Sequence, residues 1–303
     1  MTTIPADLGL VPTRRRRREA LTGAGFALPA GLLLLAVVLA PLASLFVLSA
    51  TDYELGAIEM RWLGLGNYTR ALGDPVFRRS IANTMLYVAI VLPGGVGLGL
   101  LCALLVAGRT RSRPFYEVVL FLPVTATLIA MATVWQFMLH PRLGPVNALL
   151  KAVGLPEMAF LSEPGLVLPT IAAIGIWQIV GFNMVLFLAG LAAIPRHLYD
   201  AAAIDGAGGT IDRFLTVTWP QLGPTTLFVT VTTSITAFKV FDTVATLTRG
   251  ENGTEVLLYA IYLEGFQYFK VGYAAALTVI FLVFILLFSI VQTLRLDRRV
   301  HYA

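Results

Sequence analysis

The chain has 303 residues, 57% hydrophobic and 13% charged, with a mean hydropathy of +0.81. Soluble domains average about 45–50% apolar and about 25% charged, so this composition excludes both an ordinary soluble domain and a disordered chain. The net charge of +5 does not call for nucleic acid, since basic residues in a membrane chain set its topology.

The N-terminal segment 1–25 reads as a basic tail in the cytoplasm, disordered over 1–13, with Arg14 to Arg18 anchoring the first helix against anionic membrane lipid. The apolar run Phe26–Ser49 outlasts the roughly 7–15 residues of a cleaved signal peptide and is read as helix 1. Six charge-free stretches follow one another along the chain: Ala20–Thr51, Ser80–Gly108, Val118–Pro141, Pro164–Pro195, Phe214–Phe238 and Val271–Leu294. Each reaches the roughly 20 residues that a membrane-crossing helix needs, and none holds two crossings with a loop. The expected fold is therefore all-α, a six-helix transmembrane domain over 26–294 and a cytoplasmic tail over 295–303. Nothing alternates as barrel strands do.

Charge in the loops orients the bundle. With both termini inside, segments 1–25, 108–114, 194–222 and 295–303 hold thirteen of the 22 basic residues. These are Arg14 to Arg18, Arg109, Arg111, Arg113, Arg196, Arg213, Arg295, Arg298 and Arg299. The outer loops hold eight, and acids offset most of them. The positive-inside bias places both termini in the cytoplasm.

Enzyme signatures are absent from the sequence. There is no phosphate-cradling glycine loop ending in Lys-Ser or Lys-Thr, no His-Glu-x-x-His and no pair of carboxylates within a span. One cysteine, Cys102, leaves no intrachain disulfide and no cysteine-based metal site. Three histidines, His140, His197 and His301, are scattered. No catalytic residue, metal or bound cofactor is expected. In helix 2, Gly94, Gly95, Gly97 and Gly99 are read as small residues for close helix packing.

Polar residues inside spans mark a candidate solute pathway. Helix 3 carries Trp135 and Gln136, and helix 4 carries Trp177, Gln178 and Asn183. Indole faces and amides suit sugar rings and hydroxyls, and equally suit packing at helix interfaces. Helix 5 carries Thr232, Lys239 and Asp242 on one stripe, with Thr226, Thr230 and Thr233 opposite. Charges in hydrocarbon are costly unless paired or hydrated. Lys239 and Asp242, three apart, are either a structural ion pair or part of a pathway lining.

The segment 194–222, between helices 4 and 5, is the most specific feature. Pro195 opens a helix-favouring run from Arg196 to Asp205, and Gly206, Gly208 and Gly209 break it. A second short helix is expected to end at Pro220. Small residues at Ala201, Ala202 and Ala207 suit close approach by another protein. This stretch resembles the coupling loop of importer-type ABC transporter permeases, whose pattern is E-A-A, three residues, G, nine residues, I-x-L-P. Here Asp200-Ala201-Ala202, three residues and Gly206 precede Val217-Thr218-Trp219-Pro220, with Asp for Glu and ten residues rather than nine after the glycine.

The resemblance covers nearly the whole chain. Gly64 to Tyr68, Asn83-Thr84, Leu188 to Pro195, Phe241-Asp242, Leu258 to Phe266 and Gly272 to Ala276 look like the carbohydrate-uptake branch, most like the maltose and glycerol-3-phosphate permeases. It implies a type I importer permease in the inner membrane. Such a chain pairs with a second homologous permease, couples to a cytoplasmic ATPase dimer that binds ATP and Mg, and receives a sugar or sugar-like solute from a periplasmic or lipid-anchored binding protein. Carried over, Tyr199, Asp200, Ala201, Ala202, Asp205, Gly206, Ala207 and Pro220 form the ATPase-coupling surface. The competing expectation is a secondary transporter driven by an ion gradient.

Overall fold

The computed structural model describes residues 13–297, with side chains described over 21–295. Residues 1–12 of the expected N-terminal tail, and residues 298–303 with His301, lie outside the described residues. Helix α1 (Thr13–Leu34) already begins just ahead of the arginine run. It continues through a π-helical turn, Leu35–Leu39, into α2 (Ala40–Ser49). Among the described residues the architecture is helical, apart from an isolated bridge between Thr51 and Trp62.

Five helical stretches are long and apolar enough to cross a membrane: Leu21–Ser49, Pro75–Ala107, Val167–Ala193, Gly223–Leu247 and Val271–Arg295. The third expected crossing departs from a straight helix. It consists of α5 (Arg113–Thr125) and α6 (Leu128–Met138), bent by 100° at their junction. Pro123 in the last turn of α5 withholds a backbone donor, and Ala126 and Thr127 are extended (ψ 140° and 134°). The pair makes the sixth crossing if it is one span.

The centre of the bundle is α4 (Pro75–Ala107) packed along α8 (Val167–Ala193). Glycines set their separation. A Cβ at Gly99 would lie 2.6 Å from the Cβ of Asn183, and one at Gly94 would lie 2.5 Å from Ile176 Cδ1. Gly95 meets Ile179 in the same way, whereas Gly97 faces open space. Close packing therefore accounts for three glycines of that patch. α5 lies against α8 at Gly181, where the backbone of Leu120 occupies the space a side chain would take.

Two further elements complete the bundle, α12 (Gly223–Phe238) and α15 (Val271–Asp297). α12 contacts α4, α8 and α15, and α15 also packs on α2. Short helices lie between the crossings: α3 (Gly66–Gly73), α7 (Pro145–Ala152), α9 (Arg196–Ile204), α10 (Thr210–Arg213), α11 (Trp219–Gln221), α13 (Asp242–Leu247) and α14 (Leu257–Tyr262). At one end of the bundle, side-chain amides tie loops to helix ends. Asn67 Nδ2 donates to the carbonyls of Ser49 and Thr51 (2.9 and 2.7 Å). Asn83 Nδ2 donates to those of Gly253 and Glu255 (2.7 and 2.8 Å), and Thr84 Oγ1 accepts from the Leu257 amide (3.0 Å).

The fifth crossing also departs from expectation. Its long helix begins at Gly223 rather than Phe214, and it stops at Phe238. Lys239 ends it, Phe241 leaves helical space (φ −147°, ψ −59°), and α13 restarts at Asp242. A single helical stripe through both Lys239 and Asp242 is therefore interrupted.

Candidate functional site: a coupling loop and a central cavity

Both expected sites are built where helices break. In the loop, α9 begins after extended Pro195 and ends in a turn at Gly206, whose φ of +92° lies in the left-handed region. A side chain there would meet no atom within 4 Å but would force strained backbone. The Ala207 amide closes the turn onto the carbonyl of Ala202 (2.8 Å), and Arg213 Nε donates to that of Ala207 (3.2 Å). The return limb runs through α10, a π-helical turn at Phe214–Thr218, and α11.

Pro220 does not stop this limb, which reaches Gln221. The π turn explains why. It shifts the hydrogen bonding ahead of the proline by one residue, so the ring does not press on the carbonyl four residues back. Tyr199 Oη and Thr218 Oγ1, 3.0 Å apart, tie the two limbs together.

The loop has a buried base and an exposed rim. Ala202, Val217 and Leu222 join the apolar core of the bundle with Val106 and Phe187. Asp200, Ala201, Asp205, Gly206 and Pro220 are exposed, and Tyr199 and Ala207 are half-buried. Between the limbs lies a hollow of about 330 Å³ lined by Leu198, Ala201, Ala202, Asp205, Ala207 and Val217. Ile204, Ile211 and Leu215 project beside it, 86%, 73% and 58% exposed. Exposed apolar side chains in one loop, with the exposed acids Asp200 and Asp205, suit docking against another protein.

The second site is a cavity of about 400 Å³ inside the bundle. Val124 and Leu128 approach it from either side of the α5–α6 bend, and Lys239, Phe241 and Asp242 from the α12–α13 break. Tyr87 of α4 and Gln178 and Phe182 of α8 close it. Irregular backbone at membrane depth is tolerated where it is buried in protein or lines a cavity. Lys239 is exposed and Asp242 half-buried, and no ion pair joins them among the described residues. The helix break has pulled the two residues out of pairing register.

Of the eight residues expected along a pathway, Gln178, Lys239 and Asp242 meet at this cavity. The other five do not. Trp135 and Trp177 pack edge-to-face at 5.3 Å, with Trp135 Nε1 buried and unpartnered. Gln136 is exposed elsewhere on α6. Asn183 is fully buried between α4, α8 and α12, where its Oδ1 accepts from Thr233 Oγ1 (3.2 Å). Thr232 Oγ1 donates to its own helix at the carbonyl of Phe228 (2.9 Å). Tyr87, Phe182 and Thr236 were missed, because single polar or aromatic residues in apolar runs carry no distinguishing pattern.

Electrostatics outside the membrane centre on Glu255, on the loop before α14. Burial pushes its carboxyl above the usual range, Arg79 opposes this, and Asp74 and Glu264 reinforce it. No group of three or more His, Cys, Asp or Glu residues placed to hold a metal occurs among the described residues.

Comparison with known proteins then places these features. Residues 95–302 match the family described as the binding-protein-dependent transport system inner membrane component. The sn-glycerol-3-phosphate transport system permease protein of Agrobacterium fabrum is 31% identical over 248 residues, covering 81% of this chain and 84% of that one. The sulfoquinovosyl glycerol transport system permease protein of the same organism is 31% identical over 255 residues, covering 83% and 82%. A probable ABC transporter permease protein of Bacillus subtilis is 31% identical over 297 residues, covering 96% and 95%. The fold is similar to that of a chain in the crystal structure of a bacterial ABC transporter involved in the import of the acidic polysaccharide alginate. The TM-score is 0.82 at 23% identity, covering 94% of this chain and 98% of that one.

Proposed function

The chain belongs to the family of binding-protein-dependent transport system inner membrane components, and on that premise we propose that it forms half of the translocation pathway of an ATP-driven importer for a sugar or sugar-like solute. It is a multi-pass membrane protein and a transport subunit. Its relatives in Agrobacterium fabrum serve glycerol phosphate and a sulfosugar glycerol, which favours a polyol- or sugar-derived solute here. The ion-gradient alternative finds no support in these relatives.

The mechanism follows from the two sites. The loop between α8 and α12 is the coupling element. Its exposed rim, Asp200, Ala201, Asp205 and Gly206, docks in a cytoplasmic ATPase, which holds the ATP and Mg. Its buried base, Ala202, Val217 and Leu222, transmits the movement to α8 and α12, both of which wall the central cavity. A binding protein delivers solute to the outer loops, and Gln178, Lys239 and Asp242 meet it in the cavity. Both termini are cytoplasmic on this reading.

The observation that carries the proposal is the loop itself: an apolar surface beside exposed acids, held by a left-handed glycine turn, and joined at its two ends to α8 and α12, which wall a helix-break cavity. The test is gentle solubilisation of native membranes containing the tagged chain, followed by mass spectrometry of what copurifies. Recovery of a second permease and an ATPase is expected. Recovery of the intact chain alone in mild detergent would overturn the importer assignment.

A further inference from the structure

A second cavity, of about 270 Å³, lies where the start of α4 meets α14 and the start of α15. It is at the opposite end of α4 from the coupling loop. Val106, near the last turn of α4, packs with the base of the loop, whereas Asp74, which caps the first turn, lines this cavity. The floor holds the buried rings of Tyr259 and Tyr273, and the rim holds the exposed Arg249 and Glu251. The Tyr259 ring also meets that of Phe241, centroids 6.1 Å apart, and Phe241 lines the central cavity. One aromatic contact therefore separates the two spaces.

Four carboxylates, those of Asp74, Glu251, Glu255 and Glu264, line this cup with the one guanidinium of Arg249. Asp74 is taken, since it accepts from the Val76 amide and from Tyr273 Oη, both at 2.8 Å. Glu264 is not. Its Oε2 is buried and accepts no hydrogen bond, and Lys270 Nζ, 3.8 Å away, is beyond hydrogen-bond reach. A buried acceptor that the protein itself leaves unsatisfied suits a donor brought by a ligand. An anion is a poor donor and a poor fit: burial, reinforced by Asp74 and Glu264, already pushes the Glu255 carboxyl up. A cation is little needed, because Arg79, Arg249 and Lys270 supply counter-charge, and no group placed to hold a metal occurs among the described residues. Neutral hydroxyls fit. They donate to carboxylates and accept from a guanidinium, while the carbon skeleton rests on the tyrosine floor. The volume falls just under the roughly 300–1,000 Å³ of drug-sized pockets, so it suits one ring and not a chain of several.

We propose that this cup is an entry subsite for a single neutral polyhydroxylated unit, a sugar ring or a small polyol, held by Glu264, Glu251 and Arg249 ahead of the central cavity. The identity of that unit as transported solute rests on the chain being a sugar-importer subunit. The Tyr259–Phe241 contact is then the partition between entry subsite and central cavity.

The test is saturation-transfer NMR on the purified complex without its binding protein. Glycerol, D-glucose and D-mannitol are the neutral probes, and sn-glycerol 3-phosphate is the anionic one. The expected result is transfer to at least one neutral probe and weaker transfer to the phosphate. Glu264→Gln should weaken binding of that neutral probe roughly tenfold, as expected for losing a hydrogen bond to a charged group. Glu251→Gln, on the exposed rim where folding does not depend on it, should weaken binding less. Glu157→Gln, an exposed acid outside the cup, should leave it unchanged. Transfer to none of the neutral probes, stronger transfer to the phosphate, or binding unaltered in both Glu264→Gln and Glu251→Gln would overturn the subsite. Any of these, from a complex that still holds a second permease and an ATPase, would leave the importer assignment standing. Binding that depends on Glu264 in a chain recovered without an ATPase would uphold the subsite and overturn the importer assignment.

Discussion

At Gly206 the backbone conformation matters more than the space around it. The turn has φ +92° with open space where a Cβ would go. Gly206→Ala therefore costs about 1–2 kcal/mol of backbone strain without a clash. Gly206→Asn, whose short polar side chain tolerates left-handed backbone, should cost less. We expect both variants to insert normally, and ATPase recovery and ATP-dependent uptake to fall in the order Gly, Asn, Ala. Equal uptake by all three would separate the turn from coupling. Glu255 offers a second residue-level test. Its carboxyl titrates above the usual range because burial disfavours the charge. The folded state holds that proton longer than the unfolded chain, so stability falls as pH rises from the ordinary carboxylate value through the raised one. Glu255→Gln should flatten this dependence in thermal unfolding of the purified complex, and an unchanged pH profile would contradict it.

Among the elements, what the sequence made legible and what it hid follow different physics. The apolar runs of α4, α8 and α15 are visible because hydrocarbon demands an uninterrupted apolar stretch. The bend between α5 and α6 is invisible to the same test, since no charge enters at Ala126 and the chain stays apolar through it; the break after Phe238 coincides with the entry of Lys239 and Asp242, which helical spacing alone kept on one continuous face. Those breaks build the cavity, so Gln178, Lys239 and Asp242 were found as polar residues while Tyr87 and Phe182 were not. The loop was legible because alanines, glycines and prolines each dictate local backbone; only the π turn that carries Pro220 inside the limb was missed. Two element-level predictions follow from the packing. Tyr199→Phe removes the hydrogen bond to Thr218 that ties the limbs, and should cost about 1 kcal/mol. Increased amide hydrogen exchange over residues 196–218 is the expected readout, and unchanged protection would refute the tie. Gly181→Ala drives a methyl into the Leu120 backbone and should cost about 1–3 kcal/mol by overpacking α5 against α8. The purified complex should melt earlier, whereas Gly97→Ala, facing open space, should leave the melting temperature unchanged.

On the scale of the whole molecule, the family match accounts for the arrangement of the parts. On the proposed reading, the 194–222 loop, the half-open cavity and the amide-tied loops make a conduit that is driven from one end and loaded from the other. On the proposed reading, the energy enters through a docked ATPase and not through this chain, whose sequence carries no phosphate-cradling glycine loop. The central claim is that ATP hydrolysis, and not an ion gradient, drives import. It is tested most directly by reconstituting the purified complex in liposomes and supplying the binding protein loaded with its labelled solute. The account predicts accumulation that requires both ATP and the binding protein and persists when ionophores collapse every ion gradient. Accumulation driven by an imposed ion gradient without ATP would contradict it.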